Sequence, residues 1–230
     1  MTATLIACSH GTSDEAGRAA VLALVDQVRQ LLPGVDVVDA FVDVQDPAVA
    51  DVVDSSVAGG SAVVVPLLLS TGYHTNVDIS RAIGAHPGRA VATAALGPHE
   101  LLADVLVDRL AEVGAEPGDA IVLAAAGSSD PAAAVDVAAT ADLLASRLDA
   151  DVSVGFAAGA GRRIADVVAD ARAAGAQRVV IASYVLAPGY FAQVIAAAGG
   201  DVVTRPLAPD TRIAEIIAER YRAGVGALSA

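Results

Sequence analysis

Two stretches of this chain decide its fold: LIACSHGTSD at residues 5–14 and IVLAAAGSSD at residues 121–130. Each is an apolar run of strand length that is followed by glycine and by the start of a helix. Two further pairs repeat in the same order, ADVV at 50–53 and 165–168, and STGYH at 70–74 against APGYF at 187–191. The chain is therefore an internal duplication, and only the first copy has histidine in these stretches.

Apolar runs of strand length alternate with helical segments along the whole chain. The predicted strands cover residues 3–8, 35–42, 62–69, 90–95, 120–125, 151–156, 178–186 and 202–204, and the predicted helices cover residues 14–32, 47–58, 76–85, 99–113, 131–148, 162–173, 190–198 and 210–222. Strands that are apolar on both faces and alternate with helices are typical of parallel sheets covered on both sides. We therefore expect an α/β fold of two similar doubly wound lobes, each a four-stranded parallel sheet flanked by helices. The polar turn at residues 113–118 divides an N-terminal lobe, 1–115, from a C-terminal lobe, 116–230.

Several helix starts carry local signals. Thr12 and Glu15 have the spacing of a capping box for the first helix. Pro47 and Pro131 occupy helix-opening positions. His99 follows Pro98 and is expected to cap the fourth helix.

Composition excludes several classes of protein. All 14 basic residues are arginine, so lysine-dependent chemistry such as a P-loop or a Schiff base is absent. A net charge of -13 argues against nucleic-acid binding. The strongest apolar run, residues 62–69, is too short for a bilayer span, and no signal peptide pattern is present. We expect a cytoplasmic protein that binds neither nucleic acid nor membrane, with the single Cys8 as a core residue.

The two histidines of the first copy are predicted to meet at one edge of the sheet. In the strand order 2-1-3-4, the first and third strands are neighbours and a ligand crevice forms at their carboxyl ends. His10 follows the first strand and His74 follows the third. Adjacent strands lie roughly 4.8 Å apart, so both imidazoles can reach one metal ion or one substrate atom. Asp43, after the second strand, is expected to lean over the same crevice.

Three ordered motifs in residues 1–100 resemble those of the class II sirohydrochlorin chelatases. They are His10-Gly11-Thr12 after the first strand, Phe41-x-Asp43-x-x-x-Pro47 after the second, and the stretch from Pro66 to Asp78, PLLLSTGYHTNVD. Asp43 stands where the family usually has glutamate. The resemblance implies an enzyme, a lyase that inserts a divalent metal ion into sirohydrochlorin, for sirohaem or cobalamin biosynthesis.

The resemblance also implies roles for individual residues. His10 and His74 would bind the metal ion and accept the pyrrole protons, and Asp43 would add negative charge and relay protons. No tightly bound cofactor is expected, since the divalent ion, Fe²⁺ or Co²⁺, is a substrate. The other expected substrate contacts are loop groups that meet carboxylates and two aromatic side chains on the opposite wall, namely Gly11, Thr12, Ser13, Gly72, Tyr73, Thr75, Asn76, Tyr190 and Phe191.

Two other functions remain open at this point. The same fold and histidines suit a carrier of tetrapyrrole or metal that does not catalyse insertion. The glycines after the strands suit an anion- or nucleotide-binding module, although no dinucleotide fingerprint is present. Two imidazoles and a carboxylate do not distinguish iron, cobalt and nickel. Because duplication supplies both walls of a cleft, we expect a monomer.

Overall fold

The computed structural model describes residues 2–72 and 75–228, without the side chains of Thr75 and Asn76, and these residues alternate strands and helices. The strands are β1 (Thr4–Ser9), β2 (Val37–Phe41), β3 (Ala62–Pro66), β4 (Ala90–Ala92), β5 (Ala120–Ala125), β6 (Val152–Phe156), β7 (Val179–Tyr184) and β8 (Val202–Val203). The helices are α1 (Glu15–Leu31), α2 (Val49–Gly59), α3 (Ser80–Gly84), α4 (Glu100–Glu112), α5 (Pro131–Leu148), α6 (Ile164–Ala173), α7 (Tyr190–Ala196) and α8 (Thr211–Leu228). A π-helical turn, Thr75–Ile79, leads into α3.

Within the described residues, the strands form two parallel sheets with the same order. The first is β2-β1-β3-β4 and the second is β6-β5-β7-β8. In the first sheet, Leu5 of β1 lies in register with Val37 of β2 and with Val63 of β3. The predicted fold class and strand order are confirmed, and β1 and β3 end side by side at one edge of their sheet.

The period-2 pattern of the strands divides the core into layers. Leu5 and Ala7 point into the apolar layer between the two sheets, whereas Ile6 and Cys8 point outward against α2 and α3. The second sheet repeats this arrangement, with Leu123 facing the central layer and Val122 facing the outer helices. Successive strand residues face opposite sides of a sheet, so apolar residues are required at every position of these strands.

The last helix of each repeat packs over the sheet of the other repeat. Helix α4 contacts α5 and β7, and α8 contacts α1, β3 and β4. The buried guanidinium of Arg109 ties α4 to the segment that precedes α8. Its Nη2 donates to the carbonyl of Leu207 at 2.8 Å and lies 3.3 Å from Asp210 Oδ2. The division into lobes 1–115 and 116–230 stays a prediction, and in space each sheet is covered by one helix from the other half of the sequence.

The predictions for the helix starts are confirmed in part. Asp14, and not the expected pair of Thr12 and Glu15, caps α1, because Asp14 Oδ1 accepts from Gly17 N at 2.9 Å. Pro131 opens α5 as predicted, but Pro47 precedes α2, which begins at Val49. None of the helices in the described part of the chain is long and apolar enough to cross a bilayer.

Candidate active site

His10 is the first residue after β1 and lies at the carboxyl end of the sheet. Its ring is partly buried, and Nδ1 lies 3.3 Å from the carbonyl oxygen of Gly11. Gly11 has a φ of +92°, a left-handed conformation that favours glycine. A Cβ at this position would also overlap the carbonyl oxygen of Asp43. The backbone therefore requires glycine at position 11, independently of any chemistry of the neighbouring imidazole.

The loop after β2 packs against the backbone of His10 and Gly11. Asp43 N donates to the His10 carbonyl at 3.1 Å, and Gln45 Oε1 accepts from Thr12 N at 2.8 Å. The carboxylate of Asp43 is exposed, and its Oδ1 accepts from Val44 N at 2.8 Å. The backbone of Asp43 thus lies beside that of His10, and the approach of its carboxylate to the imidazole stays a prediction. The Thr12 amide already has a partner within the protein.

The segment after β3 begins beside β1 and is fixed by side chains of the second repeat. Leu67 N donates to the Cys8 carbonyl at 2.7 Å. Tyr184 Oη, at the end of β7, donates to the carbonyl of Leu69 at 2.9 Å. Asp136 Oδ2, on α5, accepts from Thr71 N at 2.7 Å. The second repeat therefore positions the backbone up to Gly72, where the description of this segment stops.

Four expected site residues fall wholly or partly outside the described residues. His74 and Tyr73 lie outside them, and so do the side chains of Thr75 and Asn76. The approach of the two imidazoles therefore stays a prediction. Among the residues that are described, no three His, Cys, Asp or Glu side chains are grouped so that they could hold a metal ion. The two-histidine prediction is untouched by that result, because one of its members is not described.

The loop before α7 packs against the loop that carries His10. The Cα of Gly17 packs against the carbonyl oxygen of Pro188, and a Cβ on Gly189 would lie 3.3 Å from Thr12 Oγ1. Tyr190 and Phe191 follow at once, with their rings in an edge-on arrangement and their centroids 5.4 Å apart. Their exposed fractions are 73% for Tyr190 and 37% for Phe191. An exposed aromatic pair thus lies next to the loop that carries His10.

The loop after β5 is the counterpart of the His10 loop in the second repeat. Gly127 also has a positive φ, of +86°, and a Cβ there would overlap the carbonyl oxygen of Ala158. Ser128 Oγ accepts from Asp130 N at 3.1 Å, and a Cβ on Gly72 would lie 3.4 Å from the same Oγ. The two loops share their backbone design, but Ala126 replaces histidine.

The other ionisable groups singled out from the sequence, together with Tyr184 and His86, have structural roles. Burial raises the pKa of the Cys8 thiol to about 12, and the carboxylate of Asp78 adds to the shift. Cys8 is thus a protonated core residue, as predicted. Burial also raises the pKa of Tyr184. His99 caps α4, as predicted, since Nδ1 accepts from Leu101 N at 3.1 Å, and His86 pairs with Asp54.

Sequence reasoning missed Tyr184 and Asp136. Both contact backbone groups of the first repeat, Tyr184 at a separation of 115 residues and Asp136 at a separation of 65 residues. Any residue can supply a backbone carbonyl or amide, so the sequence does not indicate which residue will be the partner. The one available signal was that Tyr184 ends a strand whose other residues are apolar or small.

The chain is similar to a known protein family and to several solved structures. A family model, CbiX, matches residues 4–113 and again residues 120–223. SirB from Bacillus subtilis with Fe³⁺ has a TM-score of 0.80 and 21% identity, with 98% of this chain and 96% of that chain covered. The sirohydrochlorin chelatase SirB from Bacillus subtilis subspecies spizizenii, in complex with cobalt, has a TM-score of 0.78 and 19% identity, with the same coverage.

A third solved structure, CbiX, is described as the terminal enzyme for biosynthesis of siroheme in denitrifying bacteria. It has a TM-score of 0.70 and 21% identity, with 96% of this chain and 98% of that chain covered. No curated protein matches the chain. At these identities the likeness to solved structures establishes the fold, over nearly the full length of both partners.

Proposed function

We propose a function from one premise, that this chain belongs to the CbiX family. We infer that it is a sirohydrochlorin chelatase, which inserts a divalent metal ion into sirohydrochlorin and releases two protons. The two SirB structures contain Fe³⁺ and cobalt, respectively, and CbiX is the terminal enzyme for biosynthesis of siroheme in denitrifying bacteria. The ion is a substrate in this reaction, and the choice between Fe²⁺ and Co²⁺ stays open.

The observation that carries this proposal is the position of His10. The imidazole follows β1 at the carboxyl edge of the sheet, where β3 also ends. The opposite wall presents the exposed rings of Tyr190 and Phe191, next to the Thr12 loop. A basic nitrogen with aromatic side chains near it suits a flat macrocycle that must give up two pyrrole protons as the metal ion enters.

In this mechanism, His10 and His74 bind the incoming ion and accept the pyrrole protons. Two nitrogen ligands form an incomplete coordination shell, which suits an ion that must pass to the macrocycle. Asp43 lies beside His10 with an exposed carboxylate, so it can carry protons to solvent. Loop groups at Gly11, Ser13 and Gly72 would contact the carboxylates of the substrate.

Mixing the purified protein with sirohydrochlorin and Fe²⁺ or Co²⁺ tests the proposal. The metal-free absorption spectrum should disappear faster than in the spontaneous reaction. His10→Ala should lower the insertion rate by about 100-fold or more, because proton transfer by a positioned base contributes about 10² to 10⁴. The variant should fold, since Ala126 occupies the equivalent place in the second repeat. Asp43→Ala should slow insertion less.

His86→Ala is the matched control for the loss of an imidazole. His86 lies near the amino end of the sheet, paired with Asp54, and its removal should leave the insertion rate unchanged. Wild-type insertion by His10→Ala would refute the role of His10. A wild-type protein that binds sirohydrochlorin without accelerating insertion would be the carrier that the sequence left open.

We also propose that the protein is a monomer and that it is cytoplasmic. Both walls of the cleft come from one chain, which supports a monomer. A cytoplasmic location is in keeping with one buried, unpaired cysteine. Gel filtration with light scattering checks the first, and fractionation of the cells that produce the protein checks the second.

A further inference from the structure

An acidic protein that binds a tetrapyrrole rimmed by carboxylates needs cations placed locally. The chain has a net charge of -13, and most of its arginines already contact carboxylates within the protein. The arginines in such ion pairs are Arg29, Arg109, Arg147, Arg162, Arg172, Arg178, Arg205 and Arg212. These guanidinium groups are neutralised, so they are poor partners for another anion.

Arg18, in the first turn of α1, differs from that group. Its Nε donates to the carbonyl oxygen of Thr12 at 2.8 Å, and the side chain is exposed. No carboxylate of the described residues forms an ion pair with it. The carbonyl orients the guanidinium but leaves its charge uncompensated. The Nη groups keep N–H donors in the fork geometry that matches a carboxylate.

Arg18 also lies where the loop of His10 meets the loop before α7. Its neighbour Gly17 packs against the carbonyl of Pro188, directly before the loop that presents Tyr190 and Phe191. Thr12, which holds Nε, is two residues after His10. The guanidinium is therefore hydrogen-bonded to the loop of the predicted base, and the backbone of the adjacent Gly17 packs against the loop that leads to the aromatic pair.

We propose that Arg18 binds a peripheral carboxylate of the tetrapyrrole and so orients the macrocycle against His10. This inference rests on the proposed function, because it takes the ligand to be a planar tetrapyrrole with carboxylate side chains. The Nε–carbonyl bond holds the plane of the guanidinium before the substrate arrives, which reduces the entropy lost on binding. No group is transferred in this step, and the carboxylate and guanidinium keep their charges.

Titration of metal-free sirohydrochlorin against the full chain, followed by absorbance, tests this role. Arg18→Ala should raise the Kd by about tenfold to 100-fold, the effect of losing a charge-assisted hydrogen-bonded pair. In the insertion assay the same variant should raise KM far more than it lowers kcat, because the contact is made equally in the ground state and the transition state. Arg18→Lys should restore part of the affinity, and Arg18→Gln should restore little.

Arg89→Ala is the matched control. Arg89 is also exposed, its Nη2 donates to one neutral carbonyl, that of Gly60, at 3.0 Å, and it forms no ion pair with a described residue. It lies directly before β4, at the amino end of the sheet, away from the cleft. Its removal should leave the Kd within about twofold of the wild-type value, because exposed charges far from a ligand are screened by salt.

The outcomes separate this inference from the proposed function. Unchanged Kd in Arg18→Ala, or an equal rise in Arg18→Ala and Arg89→Ala, would overturn the role of Arg18 even if insertion is observed. A selective loss of affinity in Arg18→Ala with no insertion by the wild-type protein would support Arg18 and overturn the chelatase activity. A wild-type protein that does not bind sirohydrochlorin would overturn both.

Discussion

Replacing Tyr184 by phenylalanine removes one hydroxyl that joins the two repeats beside the site. Tyr184 is 2% exposed, its Oη donates to the Leu69 carbonyl at 2.9 Å, and Thr140 Oγ1 lies 3.2 Å from the same oxygen. The variant keeps the ring but leaves the Leu69 carbonyl without this donor. An unsatisfied buried acceptor costs about 1 to 3 kcal/mol, and the partial burial of the Leu69 carbonyl places this variant near the lower value. For a chain of this length, each kcal/mol lowers Tm by about 2 to 4 °C.

Tyr221→Phe provides a control of the same chemistry at the other end of the molecule. Tyr221 is 4% exposed, and its Oη donates to the Ala3 carbonyl at 2.6 Å, across a separation of 218 residues. This bond joins α8 to the start of the first sheet, far from the carboxyl edge that carries His10. The free energy of unfolding should therefore fall by a similar amount in both variants.

Only Tyr184→Phe should also impair metal insertion. Its hydroxyl holds the segment that leads from β3 towards His74, so its loss should reduce kcat at a temperature where both variants are fully folded. Urea denaturation gives the stability change, and the insertion assay gives kcat. Equal effects of the two variants on kcat would refute the reasoning, and so would a Tyr184→Phe protein of wild-type stability.

Two other predictions concern the first strand and the loop that follows it. Gly11→Ala should destabilise the protein more than Gly34→Ala. Both variants place alanine in a left-handed conformation (φ +84° at Gly34), which costs about 1 kcal/mol, but a Cβ at position 34 has open space around it. At position 11 the Cβ also overlaps the carbonyl of Asp43, which adds about 1 to 3 kcal/mol, and comparable urea midpoints for the two variants would contradict this. The buried Cys8 thiol keeps its proton to about pH 12, whereas the thiol of the unfolded chain loses it above about 9.0, so stability falls as pH rises through that window. Between pH 8 and pH 10, wild type should lose on the order of 1 kcal/mol more than Cys8→Ala, and equal losses in urea titrations at the two pH values would contradict the shift.

Much of the local structure follows from short-range patterns. Strand β5 and helix α5 begin and end at the predicted residues, 120–125 and 131–148. Helix α8 extends to Leu228, beyond the predicted end at residue 222. The predicted helix at 76–85 is instead a π-helical turn followed by a five-residue helix. Apolar periodicity predicts the centre of an element well and its ends poorly, because the ends depend on tertiary contacts.

The candidate site likewise contains features that the sequence predicted and features that it did not. The motifs around His10 and Asp43 indicated neighbouring strand ends, and the backbone bond between Asp43 N and the His10 carbonyl agrees with that placement. Tyr184, Asp136 and Arg18 were not predicted. Each contacts a backbone atom of a loop, and such partners have no residue identity that a sequence pattern could reveal.

The sequence by itself determined the duplication, the alternation of strands and helices, the parallel order of each sheet and the edge on which His10 lies. These features depend on patterns within a few residues and on the rules that connect successive strands. Only the tertiary structure decided that α4 and α8 exchange sheets, because an apolar stripe on a helix records that it is buried but not which of two similar sheets covers it. Only the tertiary structure, likewise, brought the second repeat's hydroxyl and carboxylate to the loop after β3, since distant partners meet through packing that no local pattern encodes.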